Sequence, residues 1–306
     1  MRVDSARTDR ALASLRGLSV GDALGSRFFL PDHYPLLRRR ELPPAPWRWT
    51  DDTEMACSMV AVLTGHGAID QDALAESFAT RHDSARGYGP AVDRLLRGIR
   101  EEGADWRELA SSLFDGHGSW GNGAAMRVAP LGAWFADDPQ RAAHEAQVSA
   151  YTTHQHREAV CGAMAVAVAA SLRAGLTRWD AGSGAELLDG VIALVPRSAV
   201  QAGLRRARDM LDYADVHTVA AVLGCGRRTS AHDTVPFALW AAARHGDDFT
   251  SAFWTTAQAG GDMDTTCAIT CGVVAAAPGS APPPEWAAGT ESLPGWVPGT
   301  GPHRAQ

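Results

Sequence analysis

An all-α fold is what this 306-residue sequence predicts, and three features predict it. Apolar residues recur at three- and four-residue spacing along most of the chain. Gly, Pro, Asp and Ser punctuate those stretches where helix caps and stops belong. Alternating β-branched runs are scarce, and 216–222 is the one weak strand candidate. A bundle of roughly ten to thirteen helices follows.

The elements follow in chain order. Leu12, Leu15, Leu18 and Leu24 mark one face of a first helix, running from near Asp9 to Gly25. Residues 28–49 hold Pro31, Pro35, Pro43, Pro44 and Pro46, which forbid a continuous helix or a central strand. This stretch is expected to be a long loop. Helical patterning resumes at 54–63, 71–80, 90–100, 122–135, 142–150 and 154–174. It continues at 185–194, 200–213, 233–243, 250–260 and 262–276. A single domain over 1–280 is expected, with 281–306 as an extended, partly disordered Pro/Gly-rich tail.

Composition narrows the function. Hydrophobic residues make up 45% and charged residues 21%, the balance of an ordinary globular protein. The net charge of −7 argues against general nucleic-acid or anionic-membrane binding. Five cysteines without a CxxC pair argue against a disulfide framework and suit a reducing cytoplasm. The longest apolar run, 163–172, is about half the ~20 residues of a membrane span and reads as a buried helix. A cytoplasmic monomer with no membrane partner is expected.

Two acidic clusters sit where a loop should enter a helix: Thr50, Asp51, Asp52 and Thr53, and then Asp262, Met263, Asp264 and Thr265. Helix capping explains one such cluster well. Two copies carry more negative charge than caps need, and if they converge their repulsion demands a counterion. All-oxygen ligands select a hard divalent cation, Mg²⁺, Mn²⁺ or Ca²⁺. A third constellation, Gly118, Ser119, Trp120, Gly121, Asn122 and Gly123, lets backbone approach a ligand and offers amides to phosphate oxygens. A fourth, Thr152 to His156, opens an Ala-rich helix; its two histidines at i, i+2 point to different faces.

Taken in order, GLSVGDALGS, WTDDT, GSWGNGAAMRVAPLG, THQH and GGDMDTT resemble the ADP-ribosylglycohydrolase family, over about Leu15 to Gly272. The family includes dinitrogenase reductase-activating glycohydrolase and the ADP-ribosyl-acceptor hydrolases. The resemblance implies a single-domain orthogonal multi-helix bundle with a binuclear Mg²⁺ or Mn²⁺ centre. It implies that Thr50, Asp51, Asp52, Asp262, Asp264 and Thr265 hold the metals. It further implies that Gly118 to Gly123 and His154 bind ADP-ribose, and that Asp22 is a structural hydrogen-bonding residue near the site. The activity implied is hydrolysis of the glycosidic bond between ADP-ribose and a modified acceptor, with Asp52 or Asp264 as general base toward water. Segment 28–49 is expected to act as a mobile cover. Many members carry a Glu where this chain has Phe29; Asp32 and Glu41 are the nearby carboxylates that could replace it. That substitution leaves open a non-catalytic ADP-ribose or nucleotide binder; a metal hydrolase of another ADP-ribosyl or nucleoside substrate is a third reading, since the sequence does not identify the acceptor.

Overall fold

The computed structural model describes residues 5–300, and among them there are sixteen α-helices and no strand. The first group is α1 (Ser5–Arg27), α2 (Tyr34–Arg39), α3 (Asp51–His66), α4 (Gln71–Arg81), α5 (Pro90–Glu102), α6 (Trp106–Ser112), α7 (Ala129–Trp134) and α8 (Pro139–Ala150). The second is α9 (Arg157–Gly175), α10 (Ser183–Leu194), α11 (Ala199–Asp209), α12 (Val216–Leu223), α13 (Ala231–Arg244), α14 (Phe249–Gln258), α15 (Met263–Val274) and α16 (Pro284–Gly289). The all-α prediction holds, but the helices outnumber the ten to thirteen expected, because α2, α6 and α16 are too short to show an apolar period.

The site is positioned by one close helix pair. Gly17, Gly21 and Gly25 recur every four residues on α1 and lie on α15. A Cβ on Gly21 would stand 2.4 Å from the Cys267 carbonyl oxygen, and one on Gly25 would stand 2.5 Å from that of Met263. Only hydrogen side chains allow that approach. The leucines read as the helix face, Leu12, Leu15, Leu18 and Leu24, are all buried beside this seam. The seam sets Asp22 of α1 beside the start of α15.

Helix α9 runs through the middle of the core, against α7, α8, α10 and α13. It is long and apolar enough to cross a membrane, yet 83% of its apolar window is buried inside the protein. All five cysteines are free and buried.

Four further sequence expectations need correction. Residues 216–222 form α12, because Asp215 accepts from the amides of His217 and Thr218 and caps a helix. Val219, Ala220 and Leu223 then face the core at helical spacing. The predicted helix 122–135 is broken: a single 3₁₀ turn at Asn122–Ala124 precedes the short α7. Segment 28–49 contains α2 and is fastened at both ends. Phe28 is fully buried against Phe253 and Trp254, and Trp47 pairs with the chain at Gly289 and Glu291 through backbone bonds of 2.8 Å. The described part of the tail is not simply extended. It forms α16, whose buried Trp286 packs edge-on to Phe249, Phe253 and Trp254. Residues 301–306, including Pro302, lie outside the described residues.

Candidate active site

Asp22 organises the entrance to α3. Fully buried, it accepts from the Thr50 amide at 2.9 Å, the Thr50 hydroxyl at 2.7 Å and the Thr53 amide at 3.2 Å, besides the Thr53 hydroxyl. Burial raises its pKa to about 6 against the pull of those four donors. Asp22 is therefore the hydrogen-bond anchor expected from the sequence.

The second acidic cluster is aimed by its glycines. Gly260 and Gly261 both have positive φ, a conformation few other residues tolerate, and a Cβ on Gly261 would stand 2.1 Å from the Cys225 carbonyl oxygen. The chain then turns so that the Asp262 amide donates to that same carbonyl at 3.0 Å. Asp262 in turn accepts from the Asn122 side-chain amide at 2.7 Å, which ties α15 to the glycine loop.

These turns bring the four constellations to one cavity of about 450 Å³. Asp51, Asp52, Asp262, Asp264 and Thr265 line one part of it; Ser119 to Gly123 and His154 line another. Thr50 and Gly118 stand immediately behind that lining, Thr50 on Asp22 and Gly118 against the backbone of Gln155 and His156.

The carboxylates crowd one another. Burial raises the Asp51 pKa to about 8, with Asp22 and Asp262 adding to the effect. Asp52 is pushed far up by burial and then by Asp22 and Asp264. Asp264 is pushed up by burial and then by Asp262 and Asp22. Burial raises Asp262 as well, and its bond from Asn122 opposes the shift. Neither helix start uses its cap side chain as a cap: Thr50 and Asp262 make no capping hydrogen bond.

Asp52 is short of donors. Its Oδ1 is buried without a partner, and its Oδ2 lies 3.0 Å from the Thr50 hydroxyl. That hydroxyl has a single proton, and Asp22 lies closer at 2.7 Å. A buried carboxylate with so little donation needs either a proton or a cation. Among the described residues no three His, Cys, Asp or Glu side chains stand as a ready-made metal cage. The donor chemistry, four aspartates with the Thr50 and Thr265 hydroxyls, nonetheless fits a hard divalent cation.

The glycine loop is partly committed to the fold. The Gly118 amide donates to Leu113, Gly121 to the Ser119 hydroxyl and Asn122 to Thr229. Fewer amides are thus free for a ligand than the glycine count suggests. Trp120 is 58% exposed and meets His156 edge-on, leaving most of its ring open to solvent.

Three expectations about this site fail. No residue of 28–49 lines the cavity, so that segment is not its cover. Phe29 is 42% exposed and outside the wall. Asp32 and Glu41 are exposed and outside it too, and Glu41 pairs with Arg39 at 3.0 Å.

Part of the cavity wall comes from residues outside the four sequence constellations: Gly87, Gly89, Pro90, Ala91 and Val92, with Phe114 and Thr229. Buried Glu54 holds this wall, accepting from the Asp83 amide at 3.0 Å and the Tyr88 hydroxyl at 2.7 Å. Its signal was present, a fifth polar residue directly after TDDT and ahead of the largely apolar run 55–63. Arg127 was missed as well: a lone charge inside the apolar run that follows the glycine loop, it is fully buried.

Comparison with known proteins places the chain in a family. The profile of the ADP-ribosylglycohydrolase family matches residues 3–300. An uncharacterized protein of Archaeoglobus fulgidus is 31% identical, the match covering 89% of this chain and 88% of that one. The ADP-ribosylhydrolase ARH3 of Homo sapiens is 28% identical, over 75% of this chain and 72% of its own. The ADP-ribosylarginine hydrolase Tri1 of Pseudomonas putida is 29% identical, over 91% and 73%. A solved structure, an ADP-ribosylglycohydrolase-related protein complex, superimposes with a TM-score of 0.68 at 26% identity, over 94% of each chain. With the profile matched almost end to end, this chain belongs to the ADP-ribosylglycohydrolase family.

Proposed function

We propose that this chain is a divalent-metal-dependent hydrolase that cleaves the glycosidic bond between ADP-ribose and a modified acceptor. One observation carries the reading: two acidic helix starts, 210 residues apart from Asp52 to Asp262, line one cavity with a glycine loop and a buried histidine. Thr50, Asp51, Asp52, Asp262, Asp264 and Thr265 would hold two Mg²⁺ or Mn²⁺ ions. When bound, such ions supply Lewis-acid stabilisation to oxygen ligands and offset the crowding of the carboxylates.

The protein's own groups do the rest. As the acceptor departs, the anomeric carbon of the ribose gains oxocarbenium character and needs water as its nucleophile. Asp52 or Asp264 takes the proton from that water. Asp52 is the stronger candidate, because its Oδ1 is unpartnered and its basicity is raised by burial and then by its neighbours. Ser119 to Gly123 orient the diphosphate at a distance from the reacting bond, and that remote binding energy fixes the ribose in place. The glycine loop is held to the acidic cluster through the Asn122–Asp262 bond, so diphosphate and ribose are registered by one piece of structure.

A second reading, ADP-ribose binding without turnover, is favoured by one observation: none of Phe29, Asp32 and Glu41 brings a replacement carboxylate to the cavity. Incubation with ADP-ribosyl-arginine, ADP-ribosyl-serine and ADP-ribosylated nucleic acid, with and without each metal, separates the two. Release of free ADP-ribose from any of them supports the hydrolase. Tight ADP-ribose binding with every linkage left intact supports the binder.

A further inference from the structure

Arg127 presents an unusual problem. It is fully buried, and among the described residues no carboxylate forms an ion pair with it. Its guanidinium instead lies over the Phe78 ring at 4.6 Å, donates to the Ser149 carbonyl at 3.1 Å and to the Thr153 hydroxyl at 3.0 Å, and contacts the Met55 sulfur at 3.6 Å. A buried cation without a counterion is unfavourable, and a Met or Leu of similar volume would serve packing better.

The hydrogen bonds show what the charge achieves. Arginine can only donate, so the Thr153 oxygen is an acceptor toward it. The same oxygen lies 2.7 Å from His154 Nδ1. Thr153 is 1% exposed, and these two contacts are its only side-chain hydrogen bonds among the described residues. If Nδ1 carried the ring proton, the hydroxyl would accept twice and its own proton would be buried with no acceptor. With the hydroxyl donating to Nδ1, both the Thr153 hydroxyl and Nδ1 are satisfied and the ring proton sits on Nε2; of these groups, Arg127 Nε alone is left buried without a partner.

Nε2 sits at the centre of the ring edge that meets the glycine loop. A Cβ on Gly123 would stand 3.0 Å from Nε2 and 2.8 Å from Cε1, and one on Gly121 would stand 3.3 Å from Nε2. Glycine at both positions keeps that edge of the ring clear, and His154 lines the cavity there.

We propose that Arg127 is a positioning residue: acting through Thr153, it locks His154 as the Nε2–H tautomer, which donates from a neutral ring to a phosphoryl oxygen of the bound ligand. The identity of that ligand rests on the function proposed above; the tautomer does not. Burial and the nearby Arg127 charge also hold the ring pKa down to about 3, so the donor stays neutral throughout the working range. His154 is thereby a fixed donor and takes no part in proton transfer.

The experiment is ¹⁵N NMR of the imidazole nitrogens in the full chain, with ADP-ribose titration as a second arm. In wild type, His154 should show a pyrrole-like Nε2 and a pyridine-like Nδ1, unchanged between pH 5 and 8. Thr153→Val should mix or reverse that signature and weaken ADP-ribose binding by about tenfold, the order of one well-placed hydrogen bond. Thr153→Ser should restore both. Arg127→Met tests the relay from its far end and should blur the tautomer in the same way; if that variant does not fold, the Thr153 pair alone decides. A pyridine-like Nε2 in wild type, or a signature untouched by Thr153→Val, overturns the proposal. Equal affinity in Thr153→Val and wild type overturns the donor role. Wild type that shows the tautomer but does not bind ADP-ribose would refute the proposed function and leave the relay standing.

Discussion

Aspartate begins many helices in this protein, and it does so in two different ways. Ahead of α4, α6, α8, α12 and α14, the residues Asp70, Asp105, Asp138, Asp215 and Asp248 each accept hydrogen bonds from the first-turn amides. At α3 and α15 the aspartates cluster, the cap side chains make no capping bond, and the carboxylates converge on one cavity, Asp52 buried and Asp51, Asp262 and Asp264 half-buried. Burial and then mutual repulsion push up the pKa values of Asp51, Asp52 and Asp264, and burial raises that of Asp262; hydroxyl donation from Thr218 and Ser251, with amide donation behind it, pulls those of Asp215 and Asp248 down. The same residue type at a helix start stabilises the fold in one case and is crowded in the other. Strain kept at two places that converge points to chemistry rather than to capping.

The comparison is most exposed at Asp52. Asp52→Asn should lower turnover by the ~10²–10⁴ expected for loss of a general base, measured as release of ADP-ribose. An unchanged rate would return Asp52 to a structural role. Next in size is the seam that brings the two helix starts together. Gly21→Val should force α1 away from α15, destabilise the fold by roughly 1–3 kcal/mol or more, and weaken metal binding with it. Denaturant melts with and without Mn²⁺ would show both effects, and a variant as stable as wild type would mean the seam is looser than described.

The true caps supply the control. Asp138→Ala should cost about 1 kcal/mol whether or not metal is present, because its only work is to accept from the Arg141 amide. A loss that depends on metal would erase the distinction between the two kinds of helix start. Smaller still is the effect expected at Phe29. Phe29→Glu places a carboxylate on an exposed site outside the cavity, so ADP-ribose affinity and turnover should stay close to wild type. A large gain in turnover would favour the binder that lost its carboxylate.

Much of this site can be read from the chain alone, and the reasons differ by residue. The acidic clusters show because charge that dense exceeds what a helix start needs, and Asp22 shows through its place between Gly21 and Gly25 in the GDALG element of α1. The seam on α1 is harder: its glycines fall between leucines whose periodicity already accounts for a helix, so nothing local says which face receives α15. Residues 216–222 read equally as strand or helix until the Asp215 cap is considered. Segment 28–49 is proline-rich in the manner of mobile loops; its rigidity comes from Trp47 and Phe28 meeting partners more than 200 residues away. The wall at Gly87 to Val92 carries no chemical signature at all, since its part is to contribute shape.

Protonation gives the comparison a direction. Folding raises the Asp22 pKa to about 6 and that of Asp51 to about 8, from an ordinary value of 3.8. The folded protein therefore holds these protons more tightly than the unfolded chain does. Their contribution is fully present below pH ~4 and is lost as pH rises toward 8, so metal-free protein should weaken over that window. A divalent cation competes with those protons, and the rise in Tm on adding Mg²⁺ or Mn²⁺ should be small at pH 5 and largest near pH 8.

Calorimetric titration of Mn²⁺ into wild type and into Asp262→Asn/Asp264→Asn at pH 7.5 is the most direct test of the central claim. If the two clustered helix starts form a cation site, wild type should take up about two ions per chain, the number a binuclear site holds. The double variant should lose at least one of them, while gaining stability without metal as the repulsion is relieved. Wild type that shows no binding heat and no change in Tm with Mg²⁺ or Mn²⁺ would contradict the account and make the two clusters crowded caps.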